Sequence, residues 1–212
     1  MAHENIEVEI KIPLPPGEFS RVRKELERTS ELKRSSSEVD TYFVPAHRDF
    51  LKNEYPSEWL RLGIRGGKAI LNYKHWRPDN AETKTHCDEF ETVVGSQETL
   101  RKILRALDFR ELVTVEKERV VFVHGDSFEV ALDDVKGLGC FIEIEALKDL
   151  GGVTATREKL FEFAAGLGID DAGHVARMNW IESTRSGHDD PHFAFGIVAQ
   201  PGKLLKREDR RA

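Results

Sequence analysis

The sequence predicts an α+β fold of antiparallel strands with helices packed against them, and three observations carry that prediction. Successive short segments alternate polar or charged with apolar residues at period two, as half-buried strands do. Three longer segments repeat apolar residues every three or four positions, which puts them on one face of a helix. Glycine, proline or acidic turn residues break the chain between these segments.

In residues 4–12, Ile6, Val8, Ile10 and Ile12 alternate with Glu7, Glu9 and Lys11, so this segment reads as a strand. Pro13, Pro15, Pro16 and Gly17 are expected to end it. From Gly17, the spacing of Phe19, Val22 and Leu26 predicts a helix. Residues 35–38 read as polar loop and 39–44 as a second strand. Residues 59–65 and 68–76 read as two strands joined at Gly66-Gly67, which supply the positive φ angles of a tight hairpin. A strand over 88–94 precedes Gly95. Ser96 then suits the N-cap of a helix reaching Leu107, with Leu100, Ile103, Leu104 and Leu107 as its apolar stripe. Strands follow over 113–123, 127–133 and 140–146, and a last helix over 156–167 carries Leu160, Phe163, Ala164 and Leu167 on one side. From Ser183 periodicity is lost, and residues 183–212 read as a tail, docked or mobile, ending in Lys203, Lys206, Arg207, Arg210 and Arg211. The division expected is one domain over 1–182 and this tail.

Composition sets limits. Of 212 residues 33% are Asp, Glu, Lys or Arg, well above the usual share of about 25%. The hydrophobic 39% together with 16 glycines still suffices for a core, which excludes disorder and collagen-like structure. A net charge of −6 argues against nucleic-acid binding by bulk attraction to phosphate. Cys87 and Cys140 are far apart and lack metal-ligand spacing, so neither a disulfide framework nor a zinc site is expected. The acidic, alternating start and the lack of any run of about 18 apolar residues point to a soluble, cytoplasmic protein with no membrane partner.

The surplus charge is patterned. Residues two or four apart on a strand point the same way, so Glu7, Glu9 and Lys11 share a face. So do Arg61 and Arg65, Glu89 and Glu91, Lys117 and Arg119, and Glu143 and Glu145. Each strand alone fits the solvated outer face of an antiparallel sheet. Together, with acids on some strands and bases on others, they also fit a closed barrel whose charged positions line an interior passage. Carboxylates suit Mg²⁺ or Mn²⁺, and Arg and Lys suit phosphate oxygens, so the ligand implied by such a lumen is a metal-bound polyphosphate.

These residues also carry a resemblance. Glu7-Val8-Glu9-Ile10-Lys11 is similar to the ExExK signature of the CYTH superfamily, the triphosphate tunnel metalloenzymes that include class IV adenylyl cyclases and thiamine triphosphatases. Asp40-Thr41-Tyr42-Phe43, Trp59-Leu60-Arg61, Tyr73-Lys74, Asp88-Glu89-Phe90-Glu91, Leu107-Asp108-Phe109, Lys117-Glu118-Arg119, Leu132-Asp133 and Gly137-Leu138-Gly139 before Glu143-Ile144-Glu145 resemble the same family in order, over about residues 5–182. The resemblance implies an eight-stranded antiparallel barrel, a triphosphate tunnel with helices packed outside. It implies divalent metal, Mg²⁺ or Mn²⁺, on Glu7, Glu9, Asp133, Glu143 and Glu145, with Glu89 and Glu91 as further candidates. It implies a triphosphate gripped by Lys11, Arg61, Lys74, Lys117 and Arg119, with Lys11, Lys117 and Arg119 as the catalytic residues. The thirteen side chains so named, Arg65 included, comprise seven acids and six bases.

The chain departs from the family where Arg-x-Arg is usual, having Arg61-Leu62-Gly63-Ile64-Arg65. Arg65 keeps the parity one strand repeat further on. Asp40-Thr41-Tyr42-Phe43 and the Gly-Leu-Gly turn resemble the cyclase branch, which implies conversion of ATP to cyclic AMP and pyrophosphate and admits a homodimer. Trp59 resembles the aromatic platform of thiamine triphosphatases, which implies hydrolysis of thiamine, nucleoside or inorganic triphosphate instead; stacking on a base fits it equally, and a core residue is the commoner reading. A module that binds polyphosphate or nucleotide without turnover is a third reading. His75, Trp76 and Arg77 read as surface loop, and His86-Cys87-Asp88 lacks a second ligand pair for a metal. Gly66-Gly67-Lys68 is no P-loop, since Leu62 and Ala69 stand where Gly and Ser or Thr are required.

Overall fold

The computed structural model describes residues 6–169. The expected tail over 183–212 lies outside them. Within them the chain runs β1 (Ile6–Glu7), β2 (Glu9–Leu14), α1 (Pro16–Thr29), β3 (Glu31–Pro45), β4 (Glu58–Arg65), β5 (Lys68–Arg77), β6 (His86–Val94), α2 (Gln97–Ala106), β7 (Phe109–His124), β8 (Phe128–Val135), β9 (Gly139–Ala146) and α3 (Gly152–Gly166).

All pairings are antiparallel, in the order β1-β6-β5-β4-β3-β7-β8-β9-β2. The two end strands of this sheet are successive pieces of one segment, interrupted at Val8. Glu7 pairs with Cys87 on β6, whereas Glu9 pairs with Glu145 on β9. The ladder is therefore not closed by a strand pair, but the chain itself joins its two edges, and the sheet curls into the expected barrel. The expected single first strand becomes two, so nine strands stand where eight were expected.

Sequence periodicity located the strands more reliably than their ends. Pro13 lies inside β2, opposite Phe141, rather than ending it. β2 is paired on one side only, so a missing N–H there breaks no ladder. Residues 35–38 are strand and not loop, because Ser35, Ser36, Ser37 and Glu38 pair with Val120, Arg119, Glu118 and Lys117 of β7. Tertiary pairing overrides the low strand propensity of a serine run. His75, Trp76 and Arg77 likewise finish β5 rather than forming a loop. The hairpin is as expected: Arg65 pairs with Lys68 across Gly66 and Gly67, at φ 55° and 77°.

The barrel's outer face holds the apolar core. Val8, Ile10, Ile12 and Leu14 pack with Val120, Phe122, Val130, Leu132, Ile142 and Ile144 beneath Val22 and Leu26 of α1 and Leu160 and Ala164 of α3. Arg21 of α1 donates to the carbonyls of Leu167 and Gly168 at 2.6 and 2.9 Å, satisfying acceptors that the end of α3 leaves open. A smaller cluster of Phe43, Leu62, Ala69 and Leu104 lies under α2, whose first turn is capped by Ser96 accepting from the Thr99 N–H at 3.2 Å. With both helical layers outside, the odd-numbered residues of β2 and β9 are left facing inward. No helix among the described residues is long and apolar enough to cross a membrane.

Leu160 is fully buried between α3 and the sheet. Leu160→Ala is expected to cost about 2–5 kcal/mol, read as a lower urea midpoint with an unchanged slope.

Candidate functional site

Residues paired across neighbouring strands share a face, so register assembles the interior. Lys11 lies opposite Glu143, Glu9 opposite Glu145, and Arg119 opposite Asp133. Deep in the barrel, Arg119 donates from Nε and Nη2 to the two Asp133 oxygens, both at 2.6 Å, and from Nη2 to Glu143 at 3.1 Å. Lys11 Nζ lies 3.0 Å from Glu143 and 3.4 Å from Asp133. Lys117 Nζ lies 3.3 Å from Asp40 and 3.6 Å from Glu38, and Arg61 Nη1 lies 3.4 Å from Asp40.

Burial on its own would raise the Asp133 carboxyl, but Arg119, Lys11 and Lys117 overcome it and hold the group at about 2. Glu143 is held well below the carboxylate range in the same way, its burial outweighed by Arg119 and Lys11. Lys117 behaves differently, because burial and then the nearby Arg119 push it down to about 8.

Toward the other end, acids outnumber bases. Lys74 Nζ lies 2.7 Å from Glu7, 3.0 Å from Glu9 and 3.8 Å from Glu89. Burial, then repulsion from Glu9, pushes Glu7 up to about 12 despite Lys74. Burial and Glu9 push Glu145 up to about 7. Arg65 Nε lies 3.5 Å from Glu38, and its Nη1 lies 3.8 Å from Glu91. Asn72 donates to both Glu89 and Glu91.

A cavity of about 560 Å³ opens over these groups. Of the residues expected at the site, Glu7, Arg61, Arg65, Lys74, Glu89, Glu91, Arg119, Glu143 and Glu145 line it. Lys11 and Lys117 are joined to that lining by their ion pairs through Glu143, Asp133 and Asp40, and Glu9 by its contact with Lys74. Trp59 is not in the lining; it is buried edge-on against Tyr42, the rings 6.1 Å apart. His75 pairs with Asp79, and Arg77 with Asp79 and Asp88, away from the cavity. Cys87 is buried with its thiol 3.8 Å from Glu7.

Sequence reasoning missed Glu38, Asp40, Arg34 and Glu129 as site residues. Asp40 was visible only within the quoted motif, and Glu38 fell in the presumed loop. The gap in Arg-x-Arg also acquires a physical reason. A Cβ on Gly63 would lie 2.7 Å from the Asp40 carboxylate, so the space on this strand between Arg61 and Arg65 is filled from across the sheet by an acid.

The donor set suits a hard divalent cation. Lys74 places a positive charge where Glu7, Glu9 and Glu89 converge, and three carboxylates around one cation are the oxygen set that Mg²⁺ or Mn²⁺ takes. Among the described residues no three His, Cys, Asp or Glu side chains form a group arranged to hold a metal, and Lys74 occupies the point where these carboxylates converge.

Comparison with known proteins agrees with this architecture. The model of the CYTH domain matches residues 5–178. A Methanocaldococcus jannaschii protein named "putative adenylate cyclase" is 28% identical over 179 residues, spanning 84% of this chain and 97% of that protein. A solved protein of Pyrococcus horikoshii OT3 is 30% identical with a TM-score of 0.64, covering 77% of this chain and 91% of its own. A Hippeastrum protein described as having a dominant triphosphatase activity is 18% identical with a TM-score of 0.54, over 77% of this chain and 88% of its own, a likeness of fold alone.

Two outcomes follow for stability. The folded pKa of Asp133 lies below its unfolded value, so its contribution is complete above about pH 4 and is lost as the pH falls toward 2. Melting temperature should drop over that window, and Asp133→Asn, starting about 3–5 kcal/mol less stable at pH 7, should lose less on acidification. Gly63→Ala should cost about 1–3 kcal/mol by displacing Asp40 from Arg61 and Lys117, measured by urea denaturation.

Proposed function

We propose, from the premise that the chain belongs to the CYTH domain family, that it is a divalent-metal-dependent enzyme cleaving the triphosphate of a nucleoside, as an adenylyl cyclase of the class IV type. The observation that carries this reading is the single cavity into which Arg61, Arg65, Lys74 and Arg119 project beside Glu7, Glu89, Glu143 and Glu145. Cations alone would bind a free polyanion; the interleaved acids suit one that arrives with metal.

In this reading Arg119, Lys11, Lys117, Arg61, Arg65 and Lys74 bind the phosphate oxygens and fix the chain of phosphates in line for attack. Glu7, Glu9, Glu89, Glu91, Asp133, Glu143 and Glu145 supply the oxygen ligands of Mg²⁺ or Mn²⁺. The metal, when bound, polarises the phosphoryl oxygens and offsets the charge that builds on the leaving group. The ribose 3′-oxygen bonds to the α-phosphorus, the bond from that phosphorus to the bridging oxygen breaks, pyrophosphate leaves and the hydroxyl proton passes to water. Glu38 and Asp40 hold Lys117, Arg61 and Arg65 in place from behind. The archaeal relative's name supports the cyclase form.

One observation favours a triphosphatase acting on a nucleoside, thiamine or inorganic triphosphate. Among the described residues no aromatic ring lines the cavity, and Trp59 packs on Tyr42. Hydrolysis at the terminal phosphorus needs water there and no precise hold on the sugar.

Incubation of the purified protein with ATP and Mn²⁺, with products separated, distinguishes the two. Cyclic AMP with pyrophosphate is expected; orthophosphate from ATP, tripolyphosphate or thiamine triphosphate identifies the hydrolase, and no product from any of them overturns both. Glu143→Ala and Lys117→Ala should each lower turnover by about 100-fold or more, with circular dichroism reporting that the fold persists.

A further inference from the structure

β3 departs from regular pairing near the cavity mouth. Leu32 lies opposite Phe122 and Arg34 opposite Val121, so Lys33 is one residue too many in the ladder. A bulge of this kind exchanges the faces of the residues beyond it. In unbroken register Arg34 would oppose Val120 in the outer apolar layer. With the bulge it turns inward and lines the cavity.

The Arg34 side chain is 42% exposed there, and its ion pair with Glu129 spans 3.8 Å, too long for a hydrogen bond. Among the described residues its donors therefore remain open to a ligand. Beside this pair the lining turns apolar at Ile6, Ala146 and Leu147. Leu147 is 46% exposed, yet its backbone is fixed by an N–H donated to the Ser127 carbonyl at 2.9 Å. The deeper lining is different: the Arg119, Lys74 and Arg61 side chains are 7%, 14% and 16% exposed and all charged. One end of the cavity suits phosphate oxygens, and the other suits an organic group with a flat apolar face and polar edges. A volume of about 560 Å³ is in the range that encloses a whole small-molecule ligand.

We propose that Arg34, Glu129 and Leu147 form the subsite that selects the organic part of the substrate, an amino-bearing nucleobase. The inference rests on the triphosphate reading of the deeper site. The guanidinium stacks on or donates to the ring, the carboxylate accepts from the amino group, and Leu147 covers the remaining apolar face. Specificity then lies at the mouth, on the bulged strand, and not at Trp59.

The test uses the full chain with Arg34→Ala and, separately, Leu147→Ser. Both side chains are partly exposed, so the variants should fold, as circular dichroism will report. Calorimetric titration in EDTA, which prevents turnover, is run with ATP and with inorganic tripolyphosphate, and KM is measured for the same pair with Mn²⁺. The ratio of ATP affinity to tripolyphosphate affinity should fall about tenfold or more in each variant. An unchanged ratio, whether both ligands weaken together or neither does, overturns the subsite. Wild-type protein that binds tripolyphosphate but not ATP also overturns it while leaving the triphosphatase reading intact. Wild-type protein that binds and turns over neither ligand overturns the triphosphate reading, and the subsite falls with it.

Discussion

The Arg119–Asp133 pair is the constraint around which the rest of the barrel is arranged. Two hydrogen bonds of 2.6 Å join a guanidinium to a fully buried carboxylate. Either charge alone in that position would be very costly, so each must be answered by the other and by the groups around them. Lys11, Glu143, Lys117, Asp40 and Glu38 extend the pair into a continuous network across five strands. The outcome is a fold turned inside out: its strands bring charge together at the centre and must find apolar burial elsewhere. That burial comes from α1 and α3 on one side and the smaller α2 cluster on the other.

Coverage by the helices is uneven. α1 and α3 pack together over β2, β7, β8 and β9, whereas among the described residues none of β5 or β6 belongs to that cluster. On their outer face Phe90 remains 53% exposed, stacked on Tyr73. The charged interior is thus best supported from behind along β2, β7, β8 and β9, the strands that supply Lys11, Lys117, Arg119, Asp133 and Glu143.

Much of this was legible in the sequence because strand geometry repeats every two residues. Once Glu7, Glu9 and Lys11 were seen to share a face, the inward direction of nine of the thirteen expected side chains followed, and they line the cavity. What was not legible depended on pairing between distant segments. The serine run before Glu38 has no strand signature of its own and becomes strand only beside β7. Arg34 keeps the even-numbered parity of Glu38 and Asp40 along β3, and it was hidden with them because the segment before Val39 was not read as strand. Gly63 looked like a lost arginine, and only the register with β3 reveals that Asp40 occupies its place.

The interruption of the first strand at Val8 has a consequence for assembly on the ribosome. Glu7 and Glu9 are synthesised long before their pairing partners, Cys87 and Glu145. The segment therefore waits, exposed, until β6 and then β9 have emerged, and joins sheet edges separated by most of the domain's length. The barrel closes and the acid end of the cavity is completed in the same event, once β9 has emerged. A nascent chain stalled between β6 and β9 would hold the Glu7–Cys87 half of the seam and lack the Glu9–Glu145 half.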